Sequence, residues 1–151
     1  MVNQISIFKV SRPKGPALVL DSSQRVADAA KEYRDASREV FLVFYVNTKN
    51  AVVHSEIHSI GCIDSAAVHP REVLKLALLK DAASIICVHN HPSGDPEPSI
   101  CDRLITRNLA FACTAVGIKF LDHVILGSGE KMYSFVTSDP DVFRVDEGER
   151  K

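Results

Sequence analysis

Hydrophobic and polar positions divide the chain into strand-like and helix-like blocks. After Glu39, Val40-Phe41-Leu42-Val43-Phe44-Tyr45-Val46 has no polar interruption and is rich in β-branched and aromatic residues. Such a run predicts a strand covered on both faces. Asn47-Thr48-Lys49-Asn50 is a turn signal, and Ala51 to His58 reads as the returning strand of a hairpin, broken by Gly61. Upstream, Asp21-Ser22-Ser23 offers caps for a helix expected to run to about Ser37. Val26, Ala29, Ala30, Tyr33 and Ser37 share one face of it at about 100° per residue.

Downstream the blocks alternate. His69-Pro70 starts a second helix, and Arg71 to Ala83 is apolar nearly all round (Val73, Leu74, Leu76, Leu78, Leu79), which predicts deep burial. Ser84 to His89 is a short strand. Ser99 opens a helix to about Val116 with Gly117 as its C-cap. Ile118 to Leu126 and Met132 to Val136 are closing strands around Gly127-Ser128-Gly129. Weak alternation at Ile5, Ile7 and Val10, broken by Pro13, Gly15 and Pro16, predicts an edge strand and loop over 1–20, and 139–151 reads as a flexible charged tail. The order α-β-β-α-β-α-β-β predicts one α/β domain over 21–138, a sandwich of a mixed, mainly antiparallel sheet with flanking helices.

Composition narrows the class. A chain of 151 residues, 46% hydrophobic and 25% charged, can carry a rigid polar site on a real core. Eighteen basic and 19 acidic residues give a formal net charge of -1. DNA binding remains open but finds no support in that balance, because phosphate neutralisation supplies much of such affinity. Lys9 to Lys14 reads as a solvated basic loop. The cysteines at 62, 87, 101 and 113 show no C-x-x-C spacing and read as reduced core residues. Met1 to Val10 lacks the features of a secretory leader, and no apolar run is long enough to span a bilayer. The expectation is a cytoplasmic protein with no membrane partner.

The chemistry concentrates in HNHPSGDPEPSICD, His89 to Asp102. Residues i and i+2 of a strand point the same way, so His89 and His91 can reach one ion while Asn90 points away. Pro92 turns the chain out of the sheet, and Gly94, Pro96 and Pro98 limit the loop's freedom. Ser99 suits an N-cap, and Asp102 falls in the first helical turn, where the helix dipole favours a carboxylate. Two imidazoles and one carboxylate are a ligand set typical of catalytic zinc, with the fourth position left to a water whose pKa falls to about 7.

This segment matches H-x-H-x7-S-x2-D of the JAB/MPN (JAMM) metalloprotease superfamily. With REVFLVFYVNTKN, VHPREVLKLAL and LDHVILG, it resembles the RadC-like family from about Ala27 to Val136. The helix-hairpin-helix region that longer members carry on the N-terminal side is not found, so DNA contacts assigned to it do not carry over. The chain reads as a short form. The resemblance implies a JAB/MPN-like, cytidine-deaminase-like sandwich and zinc-dependent hydrolysis of a peptide or isopeptide bond in a protein or peptide substrate. It implies His89, His91 and Asp102 as metal ligands, and Ser99 as a stabiliser of the oxyanion. An upstream glutamate serves as general acid/base. Glu39, just before an apolar strand, fits that context best, and Glu56 is the open alternative. Two other readings are an accessory role in DNA repair without proteolysis and a non-catalytic module that keeps the metal for stability.

Other residues have plainer expectations. Asp95, between Gly94 and Pro96, is a turn residue, and Cys87 a core thiol. Of Asp122 and His123, successive in a strand, at most one can face the site, in a structural or supporting role. His54, His58 and His69 read as surface or structural. A contiguous His-Asn-His is not the dispersed set of an HNH nuclease, and no P-C-x-x-C accompanies it as a zinc deaminase requires.

Overall fold

The computed structural model describes residues 15–63 and 67–145. Strands β1 (Val40–Val46) and β2 (Val52–Ile60) form the expected hairpin. Strand β3 (Ser84–Asn90) pairs antiparallel with the other edge of β1, β4 (Lys119–Leu126) runs parallel to β3, and β5 (Met132–Ser134) returns antiparallel to β4. The sheet order is β2-β1-β3-β4-β5, so the sheet is mixed and mainly antiparallel. Helix α1 (Ser23–Ala29) precedes the sheet, and α2 (Pro70–Leu79) joins β2 to β3. Helix α3 (Ile100–Val116) makes the crossover that a parallel pair requires, and α4 (Phe135–Ser138) follows β5.

The unbroken apolar run of β1 is explained by two cores. Phe41, Val43 and Tyr45 pack with Ile85 and Cys87 under Val73, Leu74 and Ala77 of α2 and Ile105, Leu109 and Cys113 of α3. Leu42, Phe44 and Val46 face the opposite way, with Ile86, Val88, Val124 and Leu126 under Leu20, Val26, Ala27 and Ala30. Each large apolar side chain so buried contributes about 1.5–3 kcal/mol. All seven residues of β3 are buried as well, which places the end of that strand deep between helices and sheet.

Three expectations need correction. The first helix stops at Ala29 and gives way to a 3-10 turn at Lys31–Tyr33. Tertiary hydrogen bonds override its periodicity: the Arg34 guanidinium donates to the carbonyls of Gly127 (2.9 Å) and Lys131 (2.7 Å), and Asn90 takes the carbonyls of Ala36 and Arg38. Helix α2 is not deeply buried, since Leu78 is 57% and Leu79 67% exposed and one face alone meets the sheet. The expected tail is packed over its first residues. Val142 is buried in a 3-10 turn, Pro140–Phe143, Phe143 meets Phe120 edge-on, and Asp139 accepts from Arg103. Residues 146–151 lie outside the described residues, as do residues 1–14 of the expected N-terminal strand and loop. Leu18 and Leu20 exchange backbone hydrogen bonds with Val52 and Asn50 at the start of β2.

Cysteine burial also departs from expectation. Cys87 and Cys113 are buried, but Cys62 is exposed and Cys101 half-buried. Burial pushes the Cys113 thiol up to about 12, so it stays protonated and unreactive in the folded chain. A thiol titration of the native protein is expected to modify Cys62 first, and Cys87 and Cys113 only after denaturation.

Candidate metal centre

His89 is the last residue but one of β3 and lies on the α3 face, its ring 5.9 Å from that of Phe41 and nearly parallel to it. The backbone then leaves the strand, with the His91 N–H donating to Leu126 O. Ser99 caps α3 and forms a reciprocal capping box with Asp102: Ser99 Oγ accepts the Asp102 N–H (3.1 Å), and Asp102 Oδ2 accepts the Ser99 N–H (2.7 Å). The cap fixes the Asp102 carboxylate over the strand end. His89 Nε2 lies 3.2 Å from Asp102 Oδ1, His91 Nε2 lies 3.3 Å from Asp102 Oδ2, and the two Nε2 atoms are 3.0 Å apart. His89, His91 and Asp102 thus form a group that could hold a metal ion. Two donors about 2.1 Å from a tetrahedral ion stand about 3.4 Å apart, so these separations suit a zinc-sized cation.

The proton positions suit it too. His91 Nδ1 donates to the Asp95 carbonyl (2.7 Å), so a neutral His91 has a bare Nε2. For His89 the assignment follows from a chain of bonds. The one hydroxyl proton of Thr106 goes to the Asp102 carbonyl (2.6 Å), so Thr106 Oγ1 must accept from His123 Nδ1 (2.7 Å). His123 Nε2 is then an acceptor, and it takes the proton of His89 Nδ1 (2.8 Å). His89 Nε2 is left bare and aimed at the centre. Burial, helped by the nearby His89, lowers the His123 pKa well below the ordinary histidine range and keeps that ring neutral.

Electrostatics agree with cation binding. Burial works to raise the Asp102 pKa, but the imidazoles of His89 and His91, which donate to the carboxylate when a proton takes the cation's place, and the Ser99 hydroxyl outweigh it and hold the group well below the usual carboxylate range. The His91 pKa is raised, chiefly because its protonated ring donates to Asp102, against burial, with Asp95 O and the charges of Asp102 and Glu39 adding to the rise.

The loop between the ligands is held from outside as well as by its prolines. A Cβ on Gly127 would come within 2.6 Å of Gly94 O and 2.8 Å of Pro96 Cδ, so the β4–β5 turn lies directly against it. Ser128 N donates to Gly94 O (2.9 Å). Asp95 is a turn residue whose Oδ1 accepts the Glu97 N–H, and its backbone carbonyl, not its carboxylate, orients His91.

The remaining candidates separate clearly. Glu39 is half-buried. Its carbonyl accepts the Gly61 N–H (2.8 Å), its Oε2 accepts the Ile63 N–H (2.9 Å), and its charge acts on His91. Glu56 pairs with His54 on exposed β2 (2.9 Å), and its charge acts on Tyr45 and His58 instead. His58 meets the Tyr45 hydroxyl (2.7 Å). His123 faces the centre, whereas Asp122 faces the opposite side and binds Ser23, Ser134 and the Val136 N–H. Sequence reasoning missed Thr106, although its place one helical turn after Asp102 on α3 was a usable signal.

Thr106→Val keeps the shape of the side chain and removes the group that fixes the His123 tautomer. Zinc affinity is expected to fall about 10- to 100-fold in a chelator competition, with the fold retained. Wild-type affinity in this variant would show that the relay does not govern the ligands.

The pattern of the RadC-like JAB domain matches residues 20–140. A UPF0758 protein of Halalkalibacterium halodurans is 52% identical over 97 residues, which are 64% of this chain and 42% of that protein. A UPF0758 protein of Methanosarcina acetivorans is 48% identical over 96 residues, again 64% of this chain and 42% of the relative. One of Listeria monocytogenes is 50% identical over 93 residues, 62% and 42% of the two chains. The matched part spans about two-fifths of the length of these curated relatives. With most of its length matched and its hairpin, crossover helix and His89-His91-Asp102 group in place, the chain belongs to the RadC-like JAB domain family.

Proposed function

We propose that this domain is a zinc-dependent hydrolase that cleaves a peptide or isopeptide bond in a protein or peptide substrate. The observation that carries the reading is the convergence of two imidazole Nε2 atoms with the Asp102 carboxylate at tetrahedral spacing. The side chain of His91 is 12% exposed, against 0% for His89 and 4% for Asp102, so the cluster opens to solvent on the His91 side. A zinc ion held by three protein ligands supplies an activated water and a Lewis-acid contact to a carbonyl.

Glu39 takes the part of general base. Its Oε2 is fixed by the Ile63 N–H, and among the described residues no hydrogen bond engages Oε1, the atom that would accept a proton from the attacking water. The water oxygen adds to the carbonyl carbon, the C–N bond breaks, and Glu39 delivers the proton to the leaving amine. Ser99 Oγ now donates to Asp102 Oδ2 (2.7 Å). Turning that hydroxyl outward would offer a donor to the oxyanion, while the Ser99 N–H keeps the carboxylate in place.

Two variants separate catalysis from a metal kept for stability. His89→Ala should lose the zinc that elemental analysis finds in the wild type. Glu39→Gln should keep the zinc, stop turnover and retain substrate, so that capture from cells and mass spectrometry identify the bound protein. Wild-type protein that carries zinc and leaves the captured protein uncut would sink the hydrolase reading.

A further inference from the structure

Between the two histidines stands a residue to which the mechanism above assigns nothing. Asn90 is fully buried, at 0% exposure, and faces away from the metal centre. Its Oδ1 accepts the Val40 N–H at 2.8 Å, and its Nδ2 donates to Arg38 O at 3.0 Å and Ala36 O at 3.3 Å. Arg38 O belongs to the peptide group before Glu39, and the Val40 N–H to the peptide group after it. One carboxamide therefore grips both peptide planes that flank Glu39. Since peptide planes are rigid, fixing the two of them fixes the backbone dihedrals of Glu39 and the direction of its Cα–Cβ bond. The task needs an acceptor and two donors on one short side chain, which asparagine offers. Alanine offers neither, serine is too short to span the groups, and aspartate would set an acceptor against two carbonyls.

We propose that Asn90 is the positioning residue for Glu39. It ties the segment that bears the base to the strand that bears the histidine ligands, across a sequence separation of 50 residues. The proposal rests on the reading of Glu39 as general base. A purely structural Asn90 would satisfy the same backbone groups with no consequence at the metal.

The test uses the full chain loaded with cobalt(II), whose visible bands report on what surrounds the ion. Glu39→Gln is expected to bind cobalt at wild-type stoichiometry and shift those bands. Asn90→Ser should also keep its cobalt and reproduce that shift, and the double variant should shift no further than Glu39→Gln alone. If Glu39→Gln shifts the bands and Asn90→Ser does not, the positioning role fails while the base assignment stands. If Glu39→Gln leaves them unmoved, the base assignment fails and the proposal falls with it. Loss of cobalt from a folded Asn90→Ser protein would place its effect on the ligands and overturn the proposal. A measurement on the wild type guards against a variant that does not fold. The Val40 amide should exchange with solvent as slowly as the central amides of β1, and fast exchange would contradict the grip.

Discussion

Three electron-rich groups are packed against one another at the end of β3. His89 Nε2, His91 Nε2 and the Asp102 carboxylate lie 3.0 to 3.3 Å apart, and neither imidazole in its neutral form can donate to the other, because the single proton of each ring sits on Nδ1. What the three share is an attraction to a cation. Nearly every neighbouring feature serves to hold them so. His89 and Asp102 are almost wholly buried, and a buried polar group that lacks its partners costs about 1–3 kcal/mol. The outward bonds of the cluster, through His123 and Thr106 on one side and Asp95 O on the other, meet that cost and set the proton positions together.

The sheet supplies the rigidity. The parallel step from β3 to β4 forces a long crossover, and α3 is that crossover, so its N-terminus arrives beside the strand end that carries the histidines. The β4–β5 turn then backs the ligand loop through Gly127 and Ser128, and Arg34 anchors that turn from the opposite layer. Asp122, on the other face of β4, binds Ser23 of α1 and Ser134 of β5, so that β4 anchors the α1 layer with one residue and the centre with the next. Burial raises the Asp122 pKa against four hydrogen bonds, as suits a carboxylate sealed into structure.

Much of this was legible in the sequence, and the reasons differ by element. The strands and α3 were readable because their patterns are enforced locally: β1 by an apolar run that only double-sided burial explains, α3 by Ser99 and by Gly117, whose φ of 74° suits glycine. Helix α1 was read too long because tertiary bonds at Arg34, Ala36 and Arg38 decide its end. Leu78 and Leu79 misled in the other direction, since an apolar residue is free to sit on the surface and periodicity cannot forbid it. The convergence of His89, His91 and Asp102 was readable because strand period, turn and cap lie in one continuous segment. Thr106 was missed, and of Asp122 and His123 alternation said only that at most one faces the site. A bond between α3 and β4 leaves no local trace, and only the fold brings their atoms within 2.7 Å.

The alternation of β3 accounts for the motif at both of its faces. Positions 87 and 89 point toward α3, where Cys87 packs in the core and His89 reaches the centre. Positions 88 and 90 point the other way, where Val88 packs under α1 and Asn90 takes the backbone on either side of Glu39. A pattern that specifies only the histidines describes half of what the strand end does. The other half is a grip on the backbone that carries the Glu39 carboxylate, whose Oε2 the Ile63 N–H holds. The proposed base and the candidate ligands then stand on one strand end. In the proposed hydrolase, whose candidate ligands and base come from segments far apart in sequence, that common footing would keep the reacting groups in reach of one another.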